Sequence, residues 1–124
     1  MPEHVLSTRV AWVDTDAGGR IHFTAAFRWA EAAETALRRE LGILTGWGAT
    51  PRRHVEADFL RVLRFEDEVE VRIRPERLGR TSITWTWEVT RGGETCVTGS
   101  HTVVNVDEHG RPAELPDEVR AALS

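Results

Sequence analysis

Two aspartates separated by one residue, Asp14 and Asp16, begin a short loop that ends in the glycine pair Gly18 and Gly19. The loop follows a predicted strand and precedes a predicted helix, so its carboxylates are expected beside the N-terminus of that helix. A helix N-terminus presents unpaired backbone N–H groups and the positive end of a dipole, which can stabilise a developing oxyanion. A carboxylate at the same place can activate water or attack an electrophile directly. The loop is therefore a candidate hydrolytic site.

The elements that position this loop are predicted from the spacing of apolar residues. Val5 to Val13 is rich in β-branched residues and is predicted to form a strand. Thr24 is predicted to cap a helix that ends at Leu41, where Gly42 provides a stop signal. Small and apolar residues recur in this helix at helical spacing: Ala26, Ala30, Ala33, Leu37 and Leu41. This long helix is expected to pack against a sheet.

Four strands are predicted after the helix: His54 to Phe65, Glu68 to Arg74, Thr81 to Arg91 and Thr95 to Val106. The first of them changes phase between Phe59 and Leu60, as a β-bulge would cause. Gly92 and Gly93 predict a tight hairpin turn, and a short helix is expected from Asp117 to Leu123. One long helix followed by an antiparallel meander predicts a single α+β domain over residues 1–124.

Composition narrows the class of protein. The length of 124 residues suits one domain with its own core, and a net charge of −4 argues against a nucleic-acid partner. All 16 basic residues are arginine. No segment has the length and apolarity of a signal peptide or a membrane span, and Cys96 is the lone cysteine. The simplest expectation is a cytoplasmic protein without a membrane partner.

The acidic loop, the aromatic residue Phe23 and the helical pair Arg28-Trp29 together resemble the 4-hydroxybenzoyl-CoA thioesterase branch of the hotdog-fold proteins. Later segments, Asp58 to Val71 and Arg77 to Ile83 among them, resemble the same family, so nearly the whole chain is covered. The resemblance implies a hotdog fold, in which an antiparallel sheet wraps around a long central helix. It also implies hydrolysis of an acyl-CoA or acyl-carrier-protein thioester.

The resemblance assigns roles within the loop. Asp16 matches the catalytic carboxylate, which would act as a nucleophile or as a general base, and Phe23 matches the residue whose backbone N–H polarises the carbonyl. Gly18 and Gly19 would let the substrate approach the backbone closely. Without the resemblance, Asp16 would be interpreted as an ordinary turn residue. Asp14 is expected to hydrogen-bond the turn and support Asp16.

Two further groups of residues each have two possible roles. His22 could orient water or protonate the leaving thiolate, or it could be a solvent-facing loop residue. The segment Arg80, Thr81 and Ser82 resembles the family's contacts with pantetheine or phosphate, although a solvated hairpin has the same composition. We predict substrate binding for these three residues and a catalytic contribution from His22.

The remaining predictions concern cofactors, partners and rival functions. CoA would be the carrier of the substrate, so no cofactor is predicted, and the dispersed histidines predict no metal site. Cys96 is expected to be a buried structural residue. Family resemblance implies a homodimer or homotetramer. The alternatives are a noncatalytic acyl-CoA-binding module and a hotdog hydratase or dehydratase. Phe23 to Trp29 also resembles enediyne-biosynthesis thioesterases, which use an arginine where this chain has Glu34.

Overall fold

A computed structural model describes residues 1–124. Five strands and two helices follow one another along the chain: β1 His4–Arg9, α1 Phe23–Glu40, β2 Arg52–Phe59, β3 Glu68–Leu78, β4 Ser82–Arg91, β5 Glu94–Val104 and α2 Asp117–Leu123. The strands form one antiparallel sheet in the order β1-β3-β4-β5-β2. The predicted order of elements and the predicted α+β class are confirmed.

The hydrophobic core lies between α1 and one face of the sheet. Alternate residues of β3 and β4 are buried, as their apolar alternation predicts, and Trp85 and Trp87 contribute the largest side chains of that face. Small residues on α1 are completely buried: Ala25, Ala26, Ala30 and Ala33. Because alanine combines a small volume with high helix propensity, the helix can lie close to the sheet along this stretch. The sheet therefore curves around a well-formed central helix.

The loop before α1 differs from the prediction in two respects. β1 ends at Arg9 rather than Val13, and the residues Trp12–Asp14 form a 3-10 turn instead of a continued strand. The helix is capped by His22 rather than Thr24, because the His22 ring accepts the hydrogen bond that a capping side chain normally accepts. The first correction lengthens the irregular segment that carries the two aspartates, and the second shortens it by two residues at the helix end.

β2 also differs from its predicted bounds. It begins at Arg52 and ends at Phe59, so the predicted strand His54 to Phe65 is wrong beyond this point. The N–H groups of Leu60 and Arg61 both donate to the carbonyl oxygen of Cys96, at 2.7 and 3.1 Å, which is the pattern of a bulge. The chain leaves the sheet there because the bulge turns the following residues away from β5.

The other predicted elements agree with the structure or differ from it only at their ends. β3 extends beyond Arg74 through a register shift, while the hairpin turn at Gly92 and Gly93 and the bounds of α2 agree with the prediction. Cys96 is completely buried, as expected. Neither helix is long and apolar enough to span a bilayer.

Candidate active site

The acidic loop is held in place by backbone hydrogen bonds at both ends. The N–H of Asp16 donates to the carbonyl oxygen of Arg20 at 2.8 Å, and the N–H of Gly19 donates to that of Asp16 at 3.1 Å. Ile21 then donates to the carbonyl oxygen of Leu63 at 3.0 Å, which ties the loop to the segment after β2. These contacts give the loop a defined shape directly before α1.

Asp14 supports the loop rather than presenting a free carboxylate. It is buried, and its Oδ2 accepts a hydrogen bond from the N–H of Ala11 at 2.8 Å. Its Oδ1 accepts from Nη2 of Arg28 on α1 at 3.1 Å, and its carbonyl oxygen accepts from the N–H of His22 at 2.7 Å. Each oxygen of the residue therefore has a partner: Oδ2 holds the loop itself, and the other two oxygens join the loop to the start of α1, which agrees with the supporting role expected for Asp14.

Asp16 presents a different environment. Its side chain is exposed, and Oδ1 accepts a hydrogen bond from the N–H of Gly18 at 2.8 Å, whereas Oδ2 has no intramolecular partner. A Cβ atom at position 18 would lie 3.2 Å from Oδ1, so glycine allows this close approach. Gly19 has φ +79°, a backbone conformation that residues with a side chain rarely adopt. Gly18 thus orients one carboxylate oxygen, Gly19 closes the turn, and the second carboxylate oxygen stays free.

The N-terminus of α1 lies directly after this loop. Phe23 is the first helical residue, and its N–H has no intramolecular acceptor. The first turn of the helix contains no acidic residue, so no side chain there neutralises the positive end of the 18-residue helix. The free N–H is therefore available to an oxygen atom that carries partial negative charge.

A groove joins these two groups. It has a volume of about 320 Å³. Six of its nine lining residues are hydrophobic, and the full set is Asp16, Arg20, Ile21, Phe23, Phe59, Leu60, Arg61, Val62 and Leu63. An apolar groove with a few polar groups is typical of a small-molecule site. The structure thus brings the predicted residues Asp16 and Phe23 together at one groove.

The other predicted residues do not all lie at this groove. The His22 ring stacks on that of Phe23, with ring centroids 4.8 Å apart. Arg80 to Ser82 lies at the opposite end of the sheet, because Ser82 pairs with Val104 while Phe59 pairs with Val97. Along β5 the two positions differ by seven residues, or about 23 Å. Within one chain, this segment and the acidic loop therefore belong to separate regions.

Sequence reasoning misses the apolar wall of the groove. It predicts a strand for Leu60 and Val62, but both lie after the end of β2 and remain exposed beside the loop. The phase change at Phe59 is the available signal, since residues after a bulge can be aimed away from the sheet. Arg20 is also missed, and its guanidinium has no intramolecular partner at the edge of the groove.

A buried charged group on α1 lies outside the groove. Glu34 accepts hydrogen bonds from Nε2 of His101 at 2.7 Å and from Nη2 of Arg52 at 2.9 Å, and Arg38 lies 3.6 Å from its second oxygen. Burial alone would raise the pKa of Glu34, but the His101 hydrogen bond and the charges of Arg52 and Arg38 outweigh it and lower this pKa below its ordinary value. At the position matched to the enediyne enzymes' arginine, Glu34 thus lies in a buried network with a partner at each of its carboxylate oxygens.

Comparisons with known proteins agree with this architecture. Residues 18–98 match the model of the thioesterase superfamily. The chain is 37% identical over 93 residues to the 1,4-dihydroxy-2-naphthoyl-CoA hydrolase of Parasynechococcus marenigrum, an alignment that covers 62% of this chain and 60% of that protein. This chain thus matches less than two thirds of that relative's length.

Solved structures resemble nearly the whole chain. A thioesterase of Thermus thermophilus, crystallised with coenzyme A and Zn, has a TM-score of 0.87 and 28% identity, and the match covers 97% of this chain and 91% of that one. A 1,4-dihydroxy-2-naphthoyl-CoA thioesterase from Synechocystis has a TM-score of 0.89 at 17% identity, with coverage of 98% and 96%. The fold is therefore the hotdog fold, and the chain belongs to the thioesterase superfamily.

Proposed function

We propose that this protein hydrolyses the thioester of an acyl-CoA or acyl-carrier protein to a free acid and a thiol. The observation that carries the proposal is the pairing, at one apolar groove, of the free Oδ2 of Asp16 with the free N–H of Phe23. A thioester hydrolase needs a nucleophile or base on one side of the carbonyl carbon and a hydrogen-bond donor for its oxygen. Asp16 and Phe23 can supply these two functions.

The proposed reaction follows from these positions. The thioester oxygen accepts a hydrogen bond from Phe23, and the positive end of α1 stabilises the negative charge that develops there. Asp16 either attacks the carbonyl carbon or removes a proton from an attacking water molecule. In the first route a mixed anhydride forms while the C–S bond breaks, and water then hydrolyses the anhydride. Both routes release the acid and leave a thiolate that takes a proton from solvent.

The groove favours an apolar acyl group. Phe23 and Phe59 offer two aromatic rings, and Leu60 and Val62 extend the apolar surface. The Parasynechococcus relative is named for hydrolysis of 1,4-dihydroxy-2-naphthoyl-CoA, a bicyclic aromatic thioester. We therefore propose an aromatic acyl group on CoA as the preferred substrate class.

We also propose that the active form is a homodimer joined through β2. This strand is an edge of the sheet, and exposed apolar residues lie on it and directly after it: Val55, Phe59, Leu60 and Val62. An edge strand leaves its backbone groups unpaired, so a second copy can add its own β2 in the antiparallel direction. Such a dimer would cover apolar surface that a single chain leaves in water.

This dimer would bring the predicted substrate-binding segment to the groove. A two-fold axis through the middle of β2 sets the partner subunit's Arg52 beside Phe59. The partner subunit's Ser82 would then lie three strands from Phe59, or about 14 Å away. Its neighbours, the partner subunit's Arg80 and the partner subunit's Thr81, would lie at the same end and could bind the phosphates or pantetheine of CoA.

The first experiment measures free-thiol release from aromatic, short-chain and long-chain acyl-CoAs by the wild-type protein and the Asp16→Asn variant. We expect turnover with aromatic acyl-CoAs and a loss of roughly 10²- to 10⁴-fold in kcat for Asp16→Asn. The substitution should leave stability almost unchanged, because the side chain is exposed and Oδ1 can still accept the Gly18 hydrogen bond.

A matched control removes a carboxylate elsewhere. Glu108→Gln changes an exposed residue in the turn before α2 and should retain wild-type kcat. Equal kcat for Asp16→Asn and wild type would remove Asp16 from the mechanism. Saturable acyl-CoA binding without thiol release by wild type would instead indicate the noncatalytic binding module, and hydration of an enoyl-CoA without thiol release would indicate a hydratase.

A further inference from the structure

The hydrogen bonds of the His22 imidazole identify which of its two ring nitrogens is the acceptor. Its Nδ1 lies 3.2 Å from the backbone nitrogen of Thr24 and 2.7 Å from the hydroxyl oxygen of the same residue. A backbone N–H can only donate, so Nδ1 must be an unprotonated acceptor. The neutral ring therefore carries its proton on Nε2.

A chain of hydrogen bonds supports this arrangement from the helix and the buried aspartate. Nη1 of Arg28 donates to the hydroxyl oxygen of Thr24 at 2.9 Å, which leaves the hydroxyl proton free to point at His22. Nη2 of Arg28 donates to Oδ1 of the buried Asp14 at 3.1 Å. Arg28 is the donor in both hydrogen bonds because a guanidinium has no acceptor atom. Asp14, Arg28 and Thr24 thus hold the His22 ring in one tautomer and one orientation.

The same residue controls the direction of the proposed oxyanion donor. The peptide that joins His22 to Phe23 contains both the carbonyl oxygen of His22 and the N–H of Phe23, which point in opposite directions in a planar trans peptide. The carbonyl oxygen accepts the N–H of Ala25 at 2.9 Å, and the N–H of His22 donates to the carbonyl oxygen of Asp14 at 2.7 Å. The Phe23 N–H is thereby directed out of the helix.

We infer that His22 is a positioning residue: as a neutral N-cap in the Nε2–H tautomer, held by Thr24, Arg28 and Asp14, it fixes the peptide that carries the Phe23 N–H. The inference rests on the proposed function for its kinetic consequence. It gives His22 a role other than the proton transfer predicted for it, because a capping residue needs only an acceptor atom, whereas an acid or base needs a titrating proton.

The tautomer can be measured without any activity. We expect the imidazole ¹⁵N shifts and long-range ¹H–¹⁵N couplings of wild type to show His22 with unprotonated Nδ1 and protonated Nε2, with the signals assigned by their loss in His22→Asn. Thr24→Val removes the hydroxyl and should shift the Nδ1 signal, whereas Thr90→Val, on the outer face of β4, should leave it unchanged. A proton on Nδ1 in the wild-type protein would overturn the inference.

Kinetics then separate positioning from proton transfer. Asparagine is an effective N-cap without an ionisable group, so His22→Asn should retain kcat close to that of wild type. His22→Ala removes the cap and should lower kcat by roughly 5- to 30-fold with little change in KM, together with a lower Tm.

Two kinetic results would contradict the inference. If His22→Asn loses as much kcat as His22→Ala while keeping the wild-type Tm, the ring acts as an acid or base. If neither variant loses kcat, the cap does not serve the reaction. An absence of thiol release by wild type with every acyl-CoA would defeat the proposed function instead, and the ¹⁵N measurement would still decide whether His22 is the Nε2–H cap.

Discussion

One backbone N–H, that of Phe23, supplies the charge stabilisation on which the proposed reaction depends. A main-chain donor is insensitive to most substitutions, since every residue except proline carries it. Phe23 is the first residue of α1, where proline is well tolerated because the N–H has no helical partner. The preceding residue, His22, has φ −67° and ψ 138°, which is the conformation that a following proline requires.

Phe23→Pro therefore removes the proposed donor while preserving the helix. We expect kcat for the best acyl-CoA to fall roughly 10²- to 10³-fold, the loss typical of one oxyanion donor. Circular dichroism and Tm should remain close to wild type. The measurement is steady-state thiol release at saturating substrate.

Phe23→Ala is the matched control, because it keeps the N–H and removes the ring. We expect it to retain most of kcat and to raise KM for aromatic acyl-CoAs, since the ring lines the groove. A kcat for Phe23→Pro equal to that of Phe23→Ala would show that the N–H does not act on the carbonyl.

At the residue scale, the family resemblance proposes Asp16 and Phe23 together because their motif spans a few consecutive positions, and both line one groove in the structure. Sequence reasoning misses the cap at His22, since Thr24 is the more common capping residue and also begins the apolar periodicity of the helix. Capping by His22 and capping by Thr24 differ in which side chain reaches the free N–H groups of the helix. That choice depends on two residues outside the capping segment: Arg28, which donates to the Thr24 hydroxyl, and Asp14, which accepts from Arg28.

At the scale of elements, α1 is joined to the sheet by a buried charge as well as by apolar contacts. Glu34 lies within the apolar stripe of the helix, four residues after Ala30 and three before Leu37. It meets His101 of β5 and Arg52 of β2, so one carboxylate connects the helix to two neighbouring strands. Removing one partner of a buried ion pair leaves the other charges uncompensated.

Glu34→Gln is therefore expected to lower the free energy of unfolding by about 3 kcal/mol at neutral pH, as measured by urea denaturation. Glu31→Gln is the matched control, because Glu31 lies 3.7 Å from the same guanidinium of Arg52 but is 67% exposed. It should cost less than about 1 kcal/mol. Equal stability of Glu34→Gln and wild type would mean that the cost of burying the charge cancels its attraction to its partners.

The pH dependence of unfolding offers a second readout of the same network. The folded-state pKa of Glu34 lies below its ordinary value of 4.5, so the carboxylate stabilises the fold at pH values above the unfolded pKa. This contribution should disappear as the pH falls from about 4.5 through the lower, folded-state pKa. The stability difference between wild type and Glu34→Gln should shrink over the same range. A difference that stays constant throughout that range would contradict the ionic role.

The strands are predictable where apolar and polar side chains alternate along the sequence. β3 and β4 bury every second residue over most of their length, so their spacing identifies both the strands and the buried face. The burial of Glu34 is signalled by its position within the apolar stripe, but its partners come from strands 18 and 67 residues away. The extent of β2 is not predictable in the same way, because most of its residues are exposed and lack the contrast that alternation needs.

At the scale of the whole molecule, the two edges of the sheet differ in character. The β1 edge exposes Ser7 and Arg9 but no apolar residue, whereas β2 exposes Val55 and Phe59 among charged residues such as Arg53 and Glu56. The exposed apolar surface of β2 supports this edge as the one that forms the dimer. The proposed dimer then has a functional consequence, since it would assemble each site from two chains.

Subunit mixing tests whether each site needs both chains. Asp16→Asn supplies an intact Arg80, and Arg80→Ala supplies an intact Asp16, so a mixed dimer holds one site in which both residues are intact. After the two variants are unfolded and refolded together, thiol release at low acyl-CoA concentration should exceed the average of the separate proteins. Val55→Asp in both chains should abolish this gain and shift the mass measured by light scattering to that of a monomer. A gain that persists in such a monomer would exclude the β2 dimer. No gain from a mixture that does form dimers would mean that Asp16 and Arg80 do not serve the same site.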